Sequence, residues 1–162
     1  MSDGKLLKIY LSDHLAGATA GYELAKRSLT KNGDNDLGSY LRKLVKELEA
    51  DKISLEQVIA RVGGSKSRVK LTAAWTAEKI GRLKLNGSIA SYSDLSRLLE
   101  VEGLCLGVEG KLSLWRALKQ TASSNSLLNG FDFDRLIERA TAQRHELEGH
   151  RLRAAAQAFG IS

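Results

Sequence analysis

The chain has 162 residues, of which 43% are hydrophobic and 27% charged, with a formal net charge of +6 and one cysteine. That length suffices for one domain with a sizeable core, and a lone cysteine excludes an intrachain disulfide and a cysteine-rich zinc motif. The N-terminus shows no apolar signal core and no run approaches a membrane span, so a cytoplasmic protein is expected.

Proline is absent, strand-like alternation is missing, and apolar residues recur at helical spacing, so the predicted fold class is all-α. A first helix is expected over about 5–31, with Leu7, Leu11, Ala18, Tyr22, Ala25 and Leu29 inward. His14 falls with this set, beside Tyr10, as a hydrogen-bonded core residue or as a ligand. Ala16, Gly17, Ala18, Ala20 and Gly21 give the same helix a small-residue surface. The KNGDND stretch from Lys31 to Asp36 reads as a turn with an Asn-Gly stop signal.

A second helix is expected over about 36–62, with Asp36 as its N-cap. Its stripe of Leu37, Leu41, Leu44, Leu48, Leu55 and Val58 is interrupted at Asp51, where an apolar residue is due. Glu47 lies one turn earlier at the stripe's edge. Asp51 is therefore a candidate buried acid, with a surface position as the alternative. Gly63 and Gly64 end the helix, and a crossover of about thirty residues follows, with a shorter helix over about 67–83.

The basicity is local. Arg61, Lys66, Arg68, Lys70, Lys79, Arg82 and Lys84 face Glu78 alone, which leaves 18 basic and 18 acidic residues elsewhere. With Trp75, this patch suits nucleic acid or an anionic membrane surface. No nucleic-acid motif accompanies it, so a solvated basic face is the plainer reading and nucleic acid is not the expected partner.

The third helix, about 93–121 with Ser93 as N-cap, is the one the others are expected to pack around. Leu98, Val101, Leu104, Cys105, Val108, Leu112 and Trp115 share one face, which Leu95, Leu99 and Leu106 widen. Lys111 and Glu100 are read as facing away from it. Glu102 and Glu109, seven residues apart, fall inside the apolar stripe, and Arg116 continues their line. A buried carboxylate must be paired, protonated or metal-bound. Gly103, Gly107 and Gly110 each cost roughly 1 kcal/mol against alanine in a helix, so a second backbone is expected close to that flank. The small-residue surface of the first helix is the default neighbour. A homodimer seam through Gly103, Gly107, Gly110, Leu114 and Leu118 is the rival.

The fourth helix, about 132–159, has the poorest apolar line, with Gln143, Arg144, His150 and Arg151 in its gaps. Arg144 and Arg151, also seven apart, match Glu102 and Glu109, and their forked guanidinium groups suit carboxylate pairing.

Four long helices with a long crossover between the second and third resemble the ferritin-like up-down bundle. In diiron members of that family, one Glu from each of two helices and Glu-x-x-His from the other two hold the metal. Here Glu146 and His150 are four apart rather than three, and the second helix has no histidine. The chain also resembles uncharacterised bacterial helical proteins, which implies no activity.

Three functions follow as expectations. The first is a non-catalytic binding or assembly protein without cofactor. Asp51, Glu102, Glu109, Arg116, Arg144 and Arg151, with His14 and His150 nearby, would form its buried polar network. The second is a carboxylate–histidine metal protein, with Asp51, Glu102, Glu109, His14 and His150 holding a divalent ion such as iron or manganese. The third puts function in the basic crossover.

Overall fold

The computed structural model describes residues 3–64 and 91–160. Four α-helices account for most of these described residues, and no strand is present among them. They are α1 (Asp3–Asn32), α2 (Asp36–Arg61), α3 (Asp94–Ala122) and α4 (Phe133–Ala158), with a one-turn 3₁₀ helix at Ser126–Leu128 before α4. The expected crossover helix over 67–83 lies outside the described residues.

The helix starts follow from side-chain chemistry. The Asn35 side chain, rather than Asp36, caps α2 by accepting from the Gly38 N–H at 3.0 Å. Asp36 is the first helical residue, where its charge favours the positive end of the helix. Ser93 caps α3 in a reciprocal box with Ser96. Asp132 caps α4 by accepting from the Arg135 N–H.

Helix α1 packs along α2 and along α3, while α3 packs along α4. The α3–α4 contacts run antiparallel, from Arg97 with Gln157 to Lys119 with Asp134. The apolar interior forms two clusters. One holds Leu11, Leu55, Ile59, Trp115, Leu118 and Phe133. The other holds Ala25, Leu41, Leu44, Val101, Leu104 and Leu147. The stripe on α3 is narrower than expected, since Leu95, Leu99 and Leu106 are 50%, 51% and 75% exposed.

A polar hub ties the start of α3 to the α1–α2 turn. Asn32 is 1% exposed. Its amide donates to the Ser28 carbonyl at 2.9 Å and to Tyr92 Oη at 2.7 Å. Its Oδ1 accepts from Arg97 Nε at 2.8 Å. Tyr92 in turn donates to Glu100, which also accepts from Arg27 at 3.2 Å.

Gly38 enters the first turn of α2 against the end of α1. A Cβ there would sit 1.8 Å from the Asn32 carbonyl oxygen, which is backbone and cannot swing aside. Gly38→Ala is expected to cost about 2 kcal/mol or more, as overpacking does, and to lower the thermal midpoint by several degrees. A midpoint equal to that of the parent protein would contradict this close approach.

Candidate functional site: a polar crossing inside the bundle

Between the two apolar clusters the interior turns polar. Asp51 comes from the inner line of α2 and is 3% exposed. Its Oδ2 accepts from the Lys111 ammonium of α3. Its Oδ1 accepts from Arg139 of α4, through Nε at 2.8 Å and through Nη2. Lys111 also donates to the side-chain oxygen of Gln143, itself 2% exposed. Gln143 completes its amide by donating to Glu47 at 2.8 Å. The Tyr40 hydroxyl donates to the Gln143 carbonyl at 3.2 Å.

Three helices thus meet on one carboxylate. Burial pushes the Lys111 ammonium below its ordinary pKa, and the Asp51 charge opposes that shift. Both oxygens of Asp51 are taken by the protein's own cations.

Lys111 corrects the expectation that it faces outward. Its side chain is only 11% exposed. The signal was present in the spacing. Leu104 stands seven residues before it, Val108 three before, Trp115 four after and Leu118 seven after, and all four are buried. Arg139 and Glu47 complete the cluster, and Arg139 was not singled out by its sequence position.

Glu102 and Glu109 are not core residues. Their side chains are 41% and 53% exposed, at the border of the α3–α4 contact. Glu102 lies 3.5 Å from Arg151 and Glu109 lies 3.6 Å from Arg144. Both arginines make shorter bonds to Glu148 on their own helix, Arg151 at 2.7 and 2.8 Å and Arg144 at 3.3 Å. Glu148 was missed because an acid on an exposed helix face carries no special pattern. The hydrogen bonds from Arg151, reinforced by Arg144, pull its pKa down to about 2. Arg116 is exposed and stands outside both groups.

The two candidate histidines lie apart. His14 meets Tyr10 edge to face at 4.5 Å and lines a cavity with Asp51 and Lys111. Burial holds its pKa below the ordinary value. His150 stacks on Tyr40 at 4.9 Å, with Nδ1 3.0 Å from Arg153 and 3.9 Å from Asp36. Burial, followed by the Arg153 charge, lowers its pKa as well.

The residues proposed for a divalent metal are therefore not brought together. Among the described residues, no group of three or more His, Cys, Asp or Glu side chains is placed to hold an ion. Asp51 is bonded at both oxygens by Lys111 and Arg139, and Glu102 and Glu109 face arginines at the surface. This donor set does not fit an iron or manganese site.

Of the basic patch, Arg61 alone falls among the described residues. Its guanidinium lies over the Phe131 ring at 5.2 Å. Lys66, Arg68, Lys70, Lys79, Arg82 and Lys84 lie outside them. The seam through Leu114 and Leu118 is corrected too, since each is 1% exposed and faces the bundle interior. Gly103 does meet α1, where an added Cβ would sit 3.0 Å from Leu24 Cδ2. Gly107 and Gly110 have nothing within 4 Å of such a Cβ.

No family model, curated protein or solved structure matches the chain.

Breaking a buried pair by removing one partner typically costs about 3–5 kcal/mol, because a charge is left uncompensated. Asp51→Asn is expected to destabilise the fold on that scale in urea unfolding. Glu102→Gln and Glu109→Gln are expected to leave the midpoint unchanged. The reverse ranking would place the important acids at the α3–α4 surface instead.

Proposed function

We propose that the chain is a ferritin-like, up-down four-helix bundle, with its long crossover between α2 and α3, that acts through binding or assembly without a metal. The observation that carries this reading is Asp51, whose two oxygens are engaged by Lys111 and Arg139. A metal-bridging acid needs free lone pairs in the bundle interior. Here two cations of the protein already neutralise the acid and bond both of its oxygens. Buried ionic groups fix helix register in some proteins, and a cluster joining α2, α3 and α4 is suited to that role. The antiparallel α3–α4 contact and the packing of α1 against both α2 and α3 support the topology.

Assembly has a candidate surface on α3. Leu95, Leu99 and Leu106 are half-exposed or more, and Gly107 and Gly110 add no bulk beside them. We place a homodimer contact there, with Leu106 rather than Leu114 and Leu118 as its apolar anchor. A cytoplasmic location fits the one free cysteine, Cys105, which is buried and whose thiol pKa is raised by burial.

Untagged protein purified without chelator is expected to carry far less than one iron, manganese or zinc ion per chain by elemental mass spectrometry. Sedimentation is expected to show a dimer that Leu106→Glu returns to monomer. One or two ions per chain, with unfolding on chelation, would contradict the metal-free reading. A parent protein that stays monomeric at all concentrations would remove the assembly.

A further inference from the structure

Helices α2 and α4 approach each other less closely than α1 does α2 or α3 does α4. Side chains bridge the gap. Near the start of α2, Asp36 meets Arg153 at 3.3 Å and Lys43 meets Glu146 at 2.9 Å. Tyr40 stacks on the His150 ring between them. Asp36, Tyr40 and Lys43 of α2 line one open cleft with His145, Glu146, His150 and Arg153 of α4. Among the described residues, no titratable group of α1 or α3 lines it.

The His150 side chain is only 10% exposed, and one of its nitrogens has two charged neighbours. Arg153 Nη2 lies 3.0 Å from Nδ1. A guanidinium only donates, so Nδ1 must offer its lone pair and the ring proton must sit on Nε2. In that neutral form the imidazole holds the guanidinium beside Asp36. The Asp36 oxygen that Arg153 contacts, Oδ2, also stands 3.9 Å from Nδ1. Nδ1 is therefore placed between a cationic donor and an anionic acceptor. It can serve the first only without a proton and the second only with one.

A proton taken from solvent at Nδ1 removes the acceptor and sets two like charges 3.0 Å apart. Arg153 is the member that can leave. Its side chain is 59% exposed and borders a cleft of about 440 Å³. The stacked His150 ring has less freedom, and it needs to move by only about 1 Å to reach hydrogen-bond distance of Asp36.

We infer that His150 is a proton-operated clasp between α2 and α4. Deprotonated, it holds Arg153 against Asp36. Protonated at Nδ1, it releases the guanidinium into the cleft and donates to the Asp36 carboxylate in its place. Burial, and then the Arg153 charge, oppose the proton, while Asp36 and Glu146 favour it, and the sum lies below the ordinary value. The clasp is thus closed at neutral pH and exchanges partners below the ordinary histidine pKa of about 6.5. The unfolded chain takes the proton first as pH falls, so the folded state loses stability over that window. None of this depends on whether the chain self-associates or binds metal.

The test is a pH titration of the ¹⁵N-labelled full chain, following the ring nitrogens of its three histidines and the backbone amides. Above neutral pH, His150 is expected to carry its proton on Nε2. The Asp36 and Leu37 amides are expected to move with the same midpoint as the ring. Arg153→Met is expected to raise that midpoint by about half a pH unit or more, and Asp36→Asn to lower it. Both side chains are well exposed, so both variants are expected to fold. A proton on Nδ1 above neutral pH, a midpoint that Arg153→Met leaves in place or lowers, or Asp36 and Leu37 amides that titrate apart from the ring would each overturn the clasp.

Discussion

The bundle depends on one carboxylate. Asp51 sits where an apolar side chain would otherwise join the two halves of the core, and it is 3% exposed. An ionised acid in that setting is tolerated only with partners of opposite charge and a full set of hydrogen bonds. Those partners come from α3 and α4, so their helices must stand at one height relative to α2. Leucine layers alone define that height less strictly. Sliding one helix by a turn exchanges one leucine contact for another, whereas the same slide strips Asp51 of Lys111 and Arg139.

A second group of charges, on the α3–α4 surface, shows by contrast what burial adds. Glu102, Glu109, Glu148, Arg144 and Arg151 are more numerous than the groups around Asp51, yet all are partly or well exposed. Water and salt screen such pairs, and their loss leaves no charge stranded. The count of ion pairs is thus a poor guide to which of them holds the fold. The Asn32 hub lies between these extremes, with a buried neutral amide whose donors and acceptor are satisfied by α1, by Tyr92 and by Arg97.

Much of the helical layout was legible in the sequence, because apolar spacing and capping residues are local signals. Asp51 was legible for the same reason, as a gap in an otherwise regular stripe. Lys111 was not, although its neighbours at three, four and seven residues are core residues. A long cationic side chain was assumed to reach water, and here it reaches across the interior instead. Arg139 enters the cluster from a position 23% exposed at the side chain, and such reach is invisible to a helical wheel. Glu102 and Glu109 lie on the boundary of the stripe, where a modest rotation of the helix decides between core and rim. The glycines were legible as small residues, but not by what each of them faces. Whether a neighbour fills the space that a glycine leaves is decided by tertiary packing, as Gly103 and Gly107 show on the same helix.

Asp51 and Lys111 act as a unit. A double-mutant cycle with Asp51→Asn, Lys111→Met and the combined variant, read by urea unfolding at neutral pH, tests it most directly. Residues in one buried network couple by about 0.5–3 kcal/mol, whereas independent sites add to within about 0.5 kcal/mol. Coupling is expected near the upper end, with the double variant more stable than the sum of the single changes implies. Additive effects within error would contradict it, and would leave the register of the bundle to its apolar layers.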